Sequence, residues 1–159
     1  MPNGEFLING GFETGTLSPW TSVPAGATVS NAVKQHSGNY VAQIPLSTSI
    51  QQVISSNVYS GRLYQLTGAL ASSGTIDNPT TTVSLQFIDT NGAVLQTFSK
   101  TFNTATLPDV DTGSYRTFSI LAKAPSQTRG VIVHIQTGAE MDTMAIIADD
   151  FSLVEPNYE

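Results

Sequence analysis

Cysteine is absent from the 159 residues, so neither a disulfide framework nor a thiolate zinc site can form, and the redox compartment is left open. Basic residues are scarce as well: six Lys and Arg stand singly against twelve Asp and Glu, for a net charge of −6. With no basic stripe to neutralise phosphates, neither nucleic acid nor an anionic membrane surface is an expected partner. No apolar run approaches the length of a membrane span, and Met1 to Glu5 lack the basic and apolar regions of a secretory signal. The expectation is therefore that a signal was removed or that the chain leaves its cell by another route.

What is present is a β composition. Charged residues make up 11% and hydrophobic ones 40%, with Ser, Thr, Gly, Asn and Gln filling much of the rest. Thr, Val and Ile suit a pleated surface, while Gly and Asn supply turns. Apolar residues recur at alternate positions in four runs: Tyr40, Ala42 and Ile44; Tyr64, Leu66, Gly68 and Leu70; Val83, Leu85 and Phe87; Val131, Val133 and Ile135. These are the expected inward faces. Turn signals separate the runs, among them Ser37-Gly38-Asn39, Ser60-Gly61, Ser73-Gly74, Asp77-Asn78-Pro79 and Asp111-Thr112-Gly113. Asn91-Gly92 predicts a hairpin joining Leu85–Ile88 to Ala93–Phe102 through a type I′ turn. Strands at this spacing, without a linker, charge block or internal repeat, predict one all-β domain over residues 1–159: a two-sheet antiparallel β-sandwich.

Two stretches organise the reading. Phe6 to Trp20 gives a short apolar strand, a bend at Gly10-Gly11 carrying Glu13, and a Pro19-set turn into Trp20. Ile146 to Leu153 gives an apolar run broken by Asp149-Asp150. Together they resemble the first and last strands of carbohydrate-binding modules of families 4, 9 and 22. That resemblance implies a jelly roll of the galactose-binding-like type. A narrower resemblance, carried by Ile8–Trp20 and by Phe87-Ile88-Asp89 through Leu107-Pro108-Asp109-Val110 to Ala124-Pro125, is to the domain preceding collagen-like or other repeat arrays in surface proteins of spore-forming bacteria. It implies a cell or spore surface, to which a chain without a signal peptide could be delivered from the mother cell.

Asp149 shares strand parity with Ile147, Phe151 and Leu153, so it is expected to point inward, where a lone carboxylate is costly. Calcium would resolve that cost with carboxylate and carbonyl oxygens; the competing reading is that backbone hydrogen bonds at Glu13 and Asp149 resolve it. The modules resembled hold a structural calcium between the first bend, a following turn and the terminal acid, which by position implicates Gly11, Glu13, Gly38 and Asp149. Asp150, of opposite parity, is expected in solvent. Asp109, Asp111 and Gly113 look like part of a calcium loop but lack its later glutamate, and read as a plain turn.

Catalysis has little support. No Gly-x-Ser-x-Gly elbow accompanies His36 and His134, and adjacent Asp149 and Asp150, or Glu140 and Asp142 in turn-like sequence, do not suggest a pair of carboxylates flanking a cleft. The expected protein is not an enzyme. For binding, Gln65 and Thr67, Ser84 and Gln86, and His134 and Gln136 alternate with core residues and could form one polar groove. Amides suit sugar hydroxyls because each both donates and accepts; the competing reading is a solvated outer face, with Arg116 there for solubility. Aromatic platforms are few. Trp20 reads as a core plug rather than a platform, Tyr40 and Tyr64 as internal, and Tyr59 and Tyr115 as the rings able to reach a rim. The leading expectation is a glycan-binding surface module with a structural calcium; the contending one is a self-associating structural domain that binds no sugar.

Overall fold

The computed structural model describes residues 5–74, 78–103, 106–139 and 145–156, and within them the chain is an antiparallel sandwich of two five-stranded sheets. The first sheet orders β1 (Thr21–Val23), β4 (Ser49–Ile54), β9 (Gly130–Thr137), β6 (Thr81–Ile88) and β7 (Val94–Phe102). The second orders β2 (Thr28–Ser30), β3 (Val41–Ile44), β10 (Ile146–Val154), β5 (Leu63–Ser72) and β8 (Arg116–Lys123). From β4 onward the chain crosses repeatedly between sheets, so both halves of the core are drawn from the whole sequence. The acid-rich stretch Asp109 to Gly113 is a single 3₁₀ turn, capped by the Asp109 side chain and closed by Gly113 at φ 76°.

Alternation sets the core. Tyr64, Leu66 and Leu70 of β5 meet Val83, Leu85 and Phe87 of β6 and Val131, Val133 and Ile135 of β9, all with no exposed surface. Each such apolar side chain contributes about 1.5–3 kcal/mol by leaving water. Tyr64 is internal as expected, its hydroxyl accepting the Tyr59 N–H at 2.8 Å, whereas Tyr40, preceding β3, is only half-buried. Gln52 is a polar intruder on an inward position of β4. Its amide donates to the Ile8 carbonyl and accepts the Ile8 N–H, so the side chain substitutes for a strand partner of the first segment.

The two ends of the chain interlock. Phe6 N–H donates to the Leu153 carbonyl and Phe151 N–H to the Gly10 carbonyl, both at 2.9 Å. A Cβ on Gly10 would lie 2.0 Å from the Phe151 carbonyl oxygen, so only glycine admits this approach. Trp20 seals the junction at 3% exposure, its ring 5.7 Å from Phe12 and 6.1 Å from Phe151, its indole N–H donating to the Asn9 carbonyl. It is a plug.

Two local expectations are corrected. The β6–β7 hairpin is present, with Ile88 opposite Val94, but only Gly92 has positive φ; the loop is built on the Asp89 carboxylate, which accepts the Asn91 and Ala93 N–H groups. In β10 the strand parity does not persist. A bulge between Asp149 and Ser152, with Asp150 at φ 54°, inserts a residue against β5, so Ile146 and Ala148 share the core with Phe151 and Leu153. Ile147 falls instead on the outer side with Val41, Ala71 and Val110, and Asp149 falls with it.

Replacing Trp20 by Ala is expected to cost about 3–5 kcal/mol, a large share of an ordinary domain's stability. Urea denaturation of parent and variant measures it, and an unchanged midpoint would remove Trp20 from the role of plug.

Candidate functional site

Asp149 is buried although it faces away from the main core, because residues 36 and 37 lie over it. Its Oδ2 accepts the His36 and Ser37 N–H groups at 3.0 and 3.1 Å, and its Oδ1 accepts the Asp150 N–H at 2.8 Å. Glu13 takes the next two donors of the same segment, the N–H groups of Asn39 at 2.8 Å and Tyr40 at 3.1 Å. Between these donors, Gly38 turns at φ 67°, where a Cβ would lie 2.4–2.7 Å from the Glu13 carboxylate. Asp150, expected in solvent, is instead partly exposed and held by His36 Nδ1 and the Ser37 hydroxyl. Gly11 lies close by, where a Cβ would be in van der Waals contact with the Asp150 carboxylate at 3.6 Å and Glu13 Cγ at 3.7 Å. The structure thus gathers Gly11, Glu13, Gly38 and Asp149 around one loop.

The chemistry of that group is hard oxygen, the donor type calcium takes, and it comes from three separate segments. Among the described residues no three His, Cys, Asp or Glu side chains stand close enough to hold a metal together. Any cation here would need backbone carbonyls or water to complete its shell, and the carboxylates already have amide partners.

The expected polar groove divides between the sheets. Gln86, His134 and Gln136 are on the outer face of the first sheet; Gln65 is on the second, donating to Ser119 Oγ at 2.9 Å. The physical reason is topology: the connection after β5 crosses to the other sheet, so side chains of equivalent parity on β5 and β6 look in opposite directions. Tyr115, which immediately precedes β8, lies on the outer side of the second sheet. It is half-buried with its hydroxyl donating to the Lys34 carbonyl at 2.7 Å and its ring 5.4 Å from His36. Burial, aided by Asp149 and then Asp150, raises its phenol above the ordinary range.

On the first sheet, register collects outward residues into rows. Gln51, His134, Ser84 and Ser99 form one; Ser49, Gln136, Thr82 and Thr101 a second; Val53, Ile132, Gln86 and Thr97 a third. Burial lowers the His134 pKa, keeping its imidazole a neutral donor and acceptor. Gln136 spends its NH₂ on the Thr137 carbonyl at 2.9 Å, leaving its oxygen to the face. Past the third row the face opens into a cleft of about 590 Å³ lined by Val53, Tyr59, Ile88, Asp89, Asn91 and Arg129 among others. Tyr59 is 45% exposed there, and the Arg62 guanidinium, which does not line the cleft, stacks 4.7 Å from its ring centre. Gln51 and Arg129 escaped the sequence reading. The alternation of Ser49, Gln51 and Val53 was the available signal, obscured by inward-facing Gln52. Glu140, Asp142 and Asp77 lie outside the described residues.

An all-β sandwich with one open, amide- and hydroxyl-lined sheet face ending at an exposed tyrosine has the architecture of a ligand-binding module. The chain belongs to the carbohydrate binding domain family CBM 4/9, whose model matches residues 4–139. No curated protein matches it. Among solved structures it is similar to the CBM22-1 xylan-binding domain from Paenibacillus barcinonensis Xyn10C, at 13% identity over 98% of this chain and 97% of that one, with a TM-score of 0.69. A CBM61 module solved with β-1,4-galactotriose aligns at 17% identity over 95% and 98%, TM-score 0.60. The enzymatically active domain of tailspike protein 4 of bacteriophage CBA120 aligns at 15% identity and TM-score 0.71 over 94% of this chain, which spans only 21% of the tailspike chain. At these identities the structural likeness establishes the fold.

Burial raises the Asp149 carboxyl to about 6, against the opposing pull of the Ser37, Asp150 and His36 N–H groups. Because the native pKa lies above that of the unfolded chain, near 4, the stability this group contributes is complete below pH ~4 and lost as pH rises through ~6. In chelator, the melting temperature of the parent relative to Asp149→Asn is therefore expected to fall between pH 4 and 6. Parallel melting curves for the two proteins across that range would contradict it.

Proposed function

We propose that the protein is a non-catalytic glycan-binding module, reading a neutral polysaccharide along the outer face of the first sheet with Tyr59 as its aromatic platform. The observation that carries this is the register that aligns Gln51, His134 and Ser84 and leads through Gln86 into the Tyr59 cleft. Membership of a carbohydrate binding domain family supports the ligand class. The ligands named for similar folds, xylan and β-1,4-galactotriose, make xylan and galactan the first candidates. One ring and a set of amides support weak affinity, in the millimolar to high-micromolar range, about −4 to −6 kcal/mol.

Localisation at a bacterial cell or spore surface is part of the same proposal, resting on the resemblance of the first strand and the middle of the chain to surface-protein domains. So is a structural calcium at Gly11, Glu13, Gly38 and Asp149. It is supported by the hard-oxygen donors that converge on residues 36–40 and by the cost of a carboxylate with no exposed surface. Gly11 and Gly38 would offer backbone and space, Glu13 and Asp149 charge.

Isothermal titration or affinity electrophoresis against xylan, galactan and wall glycans tests the binding reading. Tyr59→Ala is expected to weaken the parent's affinity about tenfold, a loss of about 1.4 kcal/mol. Gln86→Ala and Gln136→Ala should weaken binding while shifting stability by less than about 0.5 kcal/mol. A parent that titrates with none of these glycans would transfer the protein to the structural, self-associating reading. For calcium, the melting temperature is expected to rise with added ion and fall in chelator by mass action, and Asp149→Asn should abolish the difference. Identical melting in both conditions, with no metal in the purified protein by elemental assay, removes the ion.

A further inference from the structure

The second sheet carries its own cleft, which the first-sheet reading does not use. About 580 Å³ in volume, it lies over the β5–β8 pair and is lined by Thr67, Gly68, Ala69, Thr117, Phe118 and Ser119, with His36 and Asp150 on one flank and Lys100 on the other. Register places Thr67 opposite Ser119 and Ala69 opposite Thr117. The outward side chains are thus three hydroxyls around one methyl, with Gly68 and the Phe118 ring contributing apolar surface between them. Topology explains why Lys100 reaches it: β7 and β8 are the edge strands of their sheets on the same side of the sandwich.

The electrostatics of this cleft are unlike those of the molecule. The chain carries −6 overall, whereas here a single lining acid, Asp150, which keeps its charge while bonded to His36 Nδ1 and the Ser37 hydroxyl, is offset by Lys100 across the cleft. Lys100 has no acidic partner among the described residues. With Nδ1 held by Asp150, Nε2 is the His36 nitrogen left to face a ligand. The Asp150 backbone sits at φ 54°, a left-handed conformation that Asp tolerates better than most residues and that accompanies the β10 bulge, and Asp150 and His36 stand beside the hydroxyls. An unpaired ammonium across a hydroxyl floor suits a sugar that brings its own negative charge, the hydroxyls meeting ring OH groups and the lysine a carboxylate.

We propose that this cleft is a second glycan site, selective for an acidic saccharide of the uronate class, so that the module binds through both sheet faces. The site goes beyond the neutral-glycan face of the first sheet and does not depend on it.

The test is a heteronuclear NMR titration of the full chain with trigalacturonate and, separately, with neutral β-1,4-galactotriose, following backbone amides on both sheets. Trigalacturonate should shift the amides of Thr67, Thr117 and Ser119, and Lys100→Gln should weaken that binding about tenfold, the loss expected for one charge-assisted hydrogen bond. Added salt should weaken it as well. Ser119→Ala, an exposed change, serves as the second variant and should lower affinity without altering the melting curve. No shift at these amides with trigalacturonate at concentrations that saturate a millimolar site overturns the proposal. Equal shifts with the neutral trisaccharide, or affinity unchanged by Lys100→Gln, overturn it too. Shifts at Gln86 and Tyr59 report only on the first sheet, so the two readings fail separately.

Discussion

Four of the five residues 36–40, all but Gly38, supply backbone or side-chain donors to three carboxylates that arrive from opposite ends of the chain: Glu13 from the first bend, Asp149 and Asp150 from the last strand. The constraint is electrostatic before it is geometric. A carboxylate without exposed surface costs several kcal/mol unless it is satisfied, and Asp149 is satisfied by amides that exist in the right place only while the loop before β3 is folded down. The same loop covers Ile147 and Val41 on the outer side of the second sheet, with Val33 and Tyr115 packed against them. Closing the sandwich, burying this small second cluster and neutralising the acids are therefore one event. Gly38 and Gly10 are where that event needs glycine, one to pass the Glu13 carboxylate and the other to let the first bend touch β10.

Most of the fold was legible because strand parity is a strong signal wherever one face is dry. Val83, Leu85 and Phe87, or Val131, Val133 and Ile135, announce their burial by alternation alone. The failures come where parity is broken or does not name a sheet. In β10 the bulge at Asp149-Asp150 reverses the faces, and sequence carries no mark of it beyond two acids in an apolar run. The right conclusion about Asp149, that it is buried, followed from an argument about the wrong core. Gln65 was misplaced for a different reason: alternation says that a side chain is outward, but which outside depends on whether the intervening connection crosses the sandwich. The Asn91-Gly92 turn was read from its commonest use, whereas Asp89 had already set the loop by capping two of its amides.

The two outer faces differ in what they spend their polar groups on. On the second sheet, Gln65 and Ser119 bond to each other, and Tyr115 and Asp150 are committed to the loop at 34–37. On the first sheet the rows across β4, β9, β6 and β7 are mostly Ser, Thr and Gln, paired in part with one another or with backbone, as Thr82 with Thr101 and Gln136 with the Thr137 carbonyl, and with no charged cross-strand neighbour. Such a face can exchange bridging waters for ligand hydroxyls, which is the exchange the proposed function requires. It also lacks what makes a tight site, since hot spots are aromatic or arginine anchors in desolvated pockets.

Tyr59 is the exception, and its surroundings show how an exposed loop ring is held in place. Its backbone N–H is held by the hydroxyl of Tyr64, which has no exposed surface, and its ring is backed by Arg62. Arg62 in turn approaches Glu155, buried at the end of β10, at 3.5 Å. The guanidinium therefore has a carboxylate on one side and a π face on the other, so its position is set by two partners rather than by its own long stem. A ring supported this way loses little conformational entropy on meeting a sugar, and weak stacking can then appear as measurable affinity. β10, which closes the fold, leads into Glu155 and so also steadies the ring at the mouth of the cleft, tying the proposed binding face to the same interlock of first and last segments on which the sandwich depends.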